Sequence, residues 1–486
     1  MLRKLVGYAA IMFGANAVTG LLNFCVTVFG MLSRSKDTFG HYAWYMLVYG
    51  LGQGFLIYGV NASVQRYGAD DEVGRLRFAK LALILFPAVA LILGSAGVVM
   101  GLLWRWNVAL GLIGTPWIAV WAWGRYILRA RGDAAREALL MSIASLSNTI
   151  FQILFLSLST FDDALIYGDF VALVASGSAG VYFIVRTSGV SFRELMAVKV
   201  PRQFAVDAFK FARPVWWAGQ VSVVGTYAGG FVTRTQLGAA PLAALQAAQT
   251  FWQFAFKPIE LISQAALPAL VSAKDQREAL YRDVLRLALI SFPMIAIAVS
   301  AASPLILLVI DLLSPLLGLT GEPMTQKYAE VPQLLLVLAL SVPAIGFGAV
   351  TQQYALAVGR GRTHIVAQGA GAITTVVLVY PCVAAFGLVG VLVCGVISQL
   401  AINLCFPILL MKEHPEPMRQ GTRWLAVAFI TTVVVLVPSF LFQEHRLGWL
   451  NAIPALIIYG VMMAATGLLR ASDLTNLRSL LRRRKS

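Results

Sequence analysis

Residues 237–270 read LGAAPLAALQAAQTFWQFAFKPIELISQAALPAL. The stretch is long, apolar and rich in Ala, Leu and Phe, the character of a membrane-crossing helix. Six polar residues interrupt it: Gln246, Gln249, Gln253, Lys257, Glu260 and Gln264. They recur at intervals of three and four, so one face of a helix carries them all. A face holding an ammonium and a carboxylate is not presented to lipid cheaply. It predicts other helices or a water-filled lumen opposite, and therefore a bundle of spans.

The rest of the chain agrees. Of 486 residues, 59% are hydrophobic and 12% charged, and the mean hydropathy is +0.78. An ordinary soluble domain is about a quarter charged. The apolar runs are far longer than a strand and do not alternate, so the spans are helices. Fourteen are predicted, near residues 5–32, 41–65, 79–103, 107–128, 138–159, 163–185, 214–233, 240–268, 287–313, 331–358, 364–385, 388–411, 424–442 and 448–469. Only Phe386 and Gly387 separate the eleventh from the twelfth. The first run is too long for a signal-peptide core and reads as a span. Cys25, Cys382, Cys394 and Cys405 lie in apolar runs without metal or disulfide spacing. No phosphate-binding glycine loop is present, and the four histidines are not paired at metal spacing. No cofactor is expected; H⁺ or Na⁺ would serve for coupling.

Charge orients the spans. Of the 38 lysines and arginines, 31 fall on one side of this topology, six on the other, and Lys257 lies within a span. That asymmetry is the positive-inside rule. It predicts a multi-pass membrane protein with both termini in the cytoplasm. The net charge of +16 then reflects topology and contact with anionic membrane lipids, not nucleic acid.

A repeat divides the chain. Residues 80–87 read KLALILFP and residues 286–293 read RLALISFP, each opening a span after a basic loop. The two copies lie six spans apart, an even number, so they share one orientation. This predicts two parallel six-helix lobes, 1–185 and 211–411, joined by a cytoplasmic linker, 186–210. Residues 412–486 add two helices and a basic tail as an appendix. In the linker's second half Phe204, Ala208 and Phe211 share a face, which predicts a short interfacial helix.

Further polar stripes mark candidate sites. Span two carries Tyr42, Tyr45, Tyr49, Gln53, Asn61 and Gln65 and ends at Arg66; span one adds Asn16, Thr19 and Asn23; span seven ends at Arg234. A cavity between lobes predicts substrate contacts at Lys257, Gln253, Gln249, Gln246, Gln53, Tyr49, Asn23, Arg66 and Arg234. Lys257 lies in the cytoplasmic half of its span and suits an anionic group. Glu260 and Asp169 are the candidate ion carriers. Competing readings stand beside these. Membrane Gln and Asn side chains also join helices, at about 0.6 kcal/mol each. Lys257 and Glu260, three residues apart, also suit an internal ion pair. Arg125, at a cytoplasmic span end, reads as a snorkelling anchor.

The basic start at Arg3 and Lys4, the polar-dotted first span, FGHYAWYMLVYG (39–50) and GVNASVQRYGA (59–69) together resemble the Wzx-type polysaccharide flippases. These belong to the polysaccharide transporter family of the multidrug/oligosaccharidyl-lipid/polysaccharide exporter superfamily. The resemblance implies a non-enzymatic transporter that moves a polyprenyl-(pyro)phosphate-linked oligosaccharide across the inner membrane by alternating access, for lipopolysaccharide or exopolysaccharide biosynthesis. Its implied partners are the lipid-linked glycan, a polysaccharide polymerase and a chain-length regulator. Two alternatives stay open: an ion-coupled multidrug extruder of the same fold, and a membrane glycan polymerase or ligase. The last would need acidic groups on an outer loop, where Asp311, Glu322 and Glu330 stand.

Overall fold

The computed structural model describes residues 2–57, 60–68, 71–158, 162–272, 276–317, 321–441 and 452–469. For residues 2–10, 12–13, 61–62, 65–66, 107–108, 254–265, 267–269, 271–272, 438–441 and 452 it describes the backbone alone. The described residues form helices and connecting turns with no strand. Among the described residues, seven helices are long and apolar enough to cross a membrane, or eight if one bent pair is a single span. The chain is an all-α integral membrane protein, and helix occupies most of the described part of each predicted span.

Contacts divide the chain into two compact units, 1–246 and 247–486. Unit 1 holds α1 (Leu2–Ser33), α2 (Lys36–Ile57), α3 (Val60–Gly68), α4 (Glu72–Leu103), α5 (Trp106–Arg131), α6 (Ala134–Leu158), α7 (Ala164–Thr187), α8 (Phe192–Ala197), α9 (Arg202–Gln236) and the start of α10 (Ala239–Ser272). Asp71 starts α4 by accepting from the amides of Val73 and Gly74 at 3.0 Å each, which satisfies donors a helix start leaves open. Its partner α5 packs on α7, α7 on α6, and α6 on α1. The α5–α7 seam is a backbone-to-backbone approach. A Cβ at Gly180 would lie 2.7 Å from the Trp121 Cα, so only glycine fits there.

Unit 2 is built around α11 (Arg277–Leu313), which packs against α13 (Val331–Ala339), α14 (Val342–Ala357), α16 (Pro415–Leu441) and α17 (Ala452–Ala465). The short α12 (Met324–Lys327) lies in the loop before α13, and α15 (Gly361–Leu410) follows α14. The repeat sits at matching places: Phe86 meets Trp117 of α5 edge-on at 5.1 Å, and Phe292 lies against Gly346 of α14. In each case the repeat's phenylalanine contacts the next span.

Several expectations change. Span ten is bent by 46° between α13 and α14, with Pro343 at the start of α14, where proline is tolerated. Spans eleven and twelve are two helices, divided where the sequence places the break, at Gly387, whose φ is +58° and ψ −135°. The linker's apolar face has a protein partner. It packs on unit 1, with Ala208 buried and Phe204 and Phe211 half-buried: Phe204 lies against Phe78 at 5.3 Å, Phe211 against Tyr67 at 6.0 Å and the Arg77 guanidinium over the Phe204 ring. The helix then continues without interruption as α9. Lys80, the first residue of the repeat, donates to the carbonyls of Met196 and Val198 at 2.6 and 2.9 Å and ties the linker to α4. Nor does Arg125 snorkel: it pairs with Glu137 at 3.3 Å, and Arg129 joins the same carboxylate at 2.6 Å.

Candidate functional site

A buried polar cluster of unit 1 centres on Asp169, in the second turn of α7 and 6% exposed. The Tyr45 hydroxyl donates to one carboxylate oxygen at 2.8 Å. The Gln152 amide donates to the other at 3.3 Å, and also lies within bonding distance of the Tyr42 hydroxyl (3.2 Å) and the Asn148 oxygen (2.8 Å). Two amide hydrogens cannot serve three acceptors at full strength. The donors to Asp169 are neutral, and a buried carboxylate without a cation is held at a cost. The arrangement therefore suits a carboxyl that takes a proton or a small cation. Tyr45 and Tyr49 stack with their centroids 6.2 Å apart and planes nearly parallel, because residues one turn apart on α2 share a face.

A polar path runs from this cluster toward α1. Ser145, Asn148 and Gln152 succeed one another on one face of α6 at helical spacing. The Ser145 hydroxyl lies 3.2 Å from both the Thr19 carbonyl and the Asn23 side-chain oxygen. Asn23 is exposed, so the path joins an accessible amide to the buried carboxyl. Of the expected residues, Asp169 centres the cluster, Tyr49 reaches it only through Tyr45, and Asn23 stands at the far end of the α6 stripe beside Ser145. Tyr45, Gln152, Asn148 and Ser145 complete the cluster. The 3-and-4 spacing on α6 is the signal that would have pointed to three of them.

Arg234 stands elsewhere. It lines a cavity of about 810 Å³ bounded by α2, α4, α5 and α9. His41 and Arg105 share its charged rim with Arg234, and Trp44, Phe55 and Leu93 are among its apolar lining. Gln53 is half-buried on α2, next to the lining residues Gly52 and Phe55 along the helix.

With this geometry in place, likeness to known proteins is informative. No family model matches the chain, and no curated protein is similar in sequence. Solved structures do match. A multidrug resistance MATE family transporter of the MOP superfamily, in its inward-facing conformation, aligns with TM-score 0.63 at 17% identity, over 86% of this chain and 98% of that one. The lipid II flippase MurJ, in an inward closed conformation, aligns with TM-score 0.65 at 13% identity, over 95% and 98%. A MOP superfamily transporter from Pyrococcus furiosus, described as having a binding pocket of reversed polarity, aligns with TM-score 0.59 at 17% identity, over 87% and 95%. The chain shares the fold of these structures.

On this fold the stripe of α10 is described along its first half. Gln246 is half-buried, while Gln249 and Gln253 are exposed. Their neighbours Ala247, Ala248 and Phe251 are buried, so the two amides are exposed positions in an otherwise packed stretch of 242–253. The side chains of Lys257, Glu260, Gln264 and Arg66 lie outside the described residues.

Proposed function

We propose that this chain flips a polyprenyl-(pyro)phosphate-linked oligosaccharide across the bacterial inner membrane by alternating access, in the making of a cell-surface polysaccharide. One observation carries the reading. The lipid II flippase covers 95% of this chain, whereas the multidrug transporters cover 86–88%. The exposed amides of Gln249 and Gln253 suit sugar hydroxyls, with Gln246 above them. Lys257, on the same helical face, supplies the positive charge for the diphosphate. Asp169 and Glu260 carry the coupling H⁺ or Na⁺, and both termini face the cytoplasm.

The multidrug extruder is the second reading. A buried carboxyl with neutral donors at Asp169 is a feature that ion-coupled drug export would also use. The glycan polymerase loses ground at its outer loop. The Asp311 carboxylate accepts from the Met324 amide and from the amide and hydroxyl of Thr325, which commits it to holding that loop.

Reconstitution separates the readings. The full chain in liposomes should move a fluorescent polyprenyl-diphosphate oligosaccharide between leaflets, read as quencher-accessible label. Lys257→Ala should slow it by roughly tenfold or more, the worth of one charge-assisted contact. Accumulation of a cationic dye under an ion gradient, without movement of the lipid-linked glycan, would overturn the flippase in favour of the extruder.

A further inference from the structure

We propose that the groove between α2, α4, α5 and α9 binds an anionic phospholipid, with its phosphate between Arg105 and Arg234 and one acyl chain along the apolar wall. The inference concerns a bound lipid rather than the transported cargo and does not depend on the function proposed above.

Charge placement is the first argument. Arg105 precedes α5, Arg234 is in the last turn of α9, and His41 is near the start of α2. These three come from distant parts of the chain, yet all line the same groove. The two arginines are among the six basic residues that fall on the sparsely charged side of the predicted topology. Neither guanidinium makes an ion pair or hydrogen bond among the described residues. Arg105 is exposed and Arg234 partly so. Asp37 and Asp163 act electrostatically on His41, but neither lines the groove. Two planar guanidinium groups facing one opening match a phosphodiester, which each can grip with paired N–H donors.

Shape and depth are the second argument. Trp44, Trp104 and Phe231 sit by this rim, with Trp44 edge-on to Phe231 at 4.7 Å and to Trp104 at 6.4 Å. Tryptophan gathers where lipid headgroups meet the hydrocarbon. Below them the wall is Val48, Leu51, Phe55, Leu56, Leu93 and Leu112. From His41 to Leu56 the α2 wall descends about 20 Å at 1.5 Å per residue. Half of a hydrocarbon core of about 30 Å is about 15 Å, so an acyl chain of one leaflet fits within the groove. A lipid seated there touches α9 as well as α2, α4 and α5, and it should stiffen the unit.

The test uses the purified full chain, delipidated and then offered phosphatidylglycerol or phosphatidylcholine, with retention read by native mass spectrometry. Phosphatidylglycerol should be retained in preference. Arg105→Gln with Arg234→Gln should lower its retention by roughly tenfold or more. Leu112→Trp narrows the groove, leaves both arginines in place and should also lower retention. Equal retention of the two lipids, or wild-type retention of phosphatidylglycerol by the double variant, would overturn the proposal. So would displacement of phosphatidylglycerol by equimolar polyprenyl phosphate, which would make the groove a cargo site. A raised unfolding temperature with phosphatidylglycerol in the wild type, absent in the double variant, would support it.

Discussion

Tyr45 is fully buried and spends its hydroxyl on Asp169. A hydrogen bond to a charged group contributes about 1.5–3 kcal/mol, so Tyr45→Phe should lower stability by about that amount if the carboxyl is ionised and by about half that if it is protonated. Thermal unfolding of Tyr45→Phe, Asp169→Asn and the double variant checks this. A coupling energy of at least about 0.5 kcal/mol marks a direct interaction, and strict additivity would refute it. Glu137 poses a harsher case, since it is fully buried while Arg125 and Arg129 share its carboxylate. Glu137→Gln leaves two partly buried guanidinium groups without their counter-charge. Removing one partner of a buried pair costs about 3–5 kcal/mol, and partial exposure of the arginines places this variant near about 3 kcal/mol. Asp169 was legible in the sequence because a carboxylate in an apolar run is conspicuous. The stripe of Tyr42 and Tyr45 was legible too, but its pairing with Asp169 and Gln152 was not, because the sequence does not state which helices face each other. Arg125 was misread for the same reason: its position at a span end suggests snorkelling, and only the tertiary fold brings Glu137 to it.

At the scale of the element, Gly387 decides how spans eleven and twelve turn. Its φ of +58° with ψ of −135° is a conformation closed to residues with a Cβ. The chain then folds back so tightly that a Cβ at Gly390 would lie 1.9 Å from the Cys382 carbonyl oxygen. Gly387→Ala should therefore destabilise by about 1–3 kcal/mol, with Gly390→Ala acting in the same direction. Gly395, in the same helical stretch, has open space at its Cβ and should tolerate alanine or gain up to about 1 kcal/mol. Unfolding midpoints of the three variants check the order; equal midpoints would remove the turn's role. The break was visible beforehand because a lone Phe-Gly interrupted the apolar run. The linker was harder to read. The periodicity of Phe204, Ala208 and Phe211 showed an apolar face, but a bilayer and the surface of unit 1 offer that face the same chemistry.

For the molecule as a whole, the two helices after residue 411 are better described as part of unit 2 than as an appendix. Met418, Leu425, Ala428, Thr432 and Leu436 bury one face of α16, and Gly421 lies against Leu285 and Phe347. The buried Tyr459 hydroxyl donates to the Leu289 carbonyl at 2.8 Å. The turn before α16 is tied as well: His414 meets Tyr354 at 3.0 Å and Glu278 at 3.2 Å, and Glu413 pairs with Arg360. In lipid, stripping these helices does not expose apolar faces to water, so the hydrophobic effect does not oppose it. The loss falls on packing and on these polar contacts, the hydrogen bonds contributing about 1 kcal/mol each. A chain ending at residue 411 should therefore still enter the membrane, but its unfolding midpoint in detergent should fall well below that of the full chain. Tyr459→Phe alone should reproduce about 1 kcal/mol of that loss. An unchanged midpoint in the truncated chain would restore the appendix and remove the structural reason for the two extra helices.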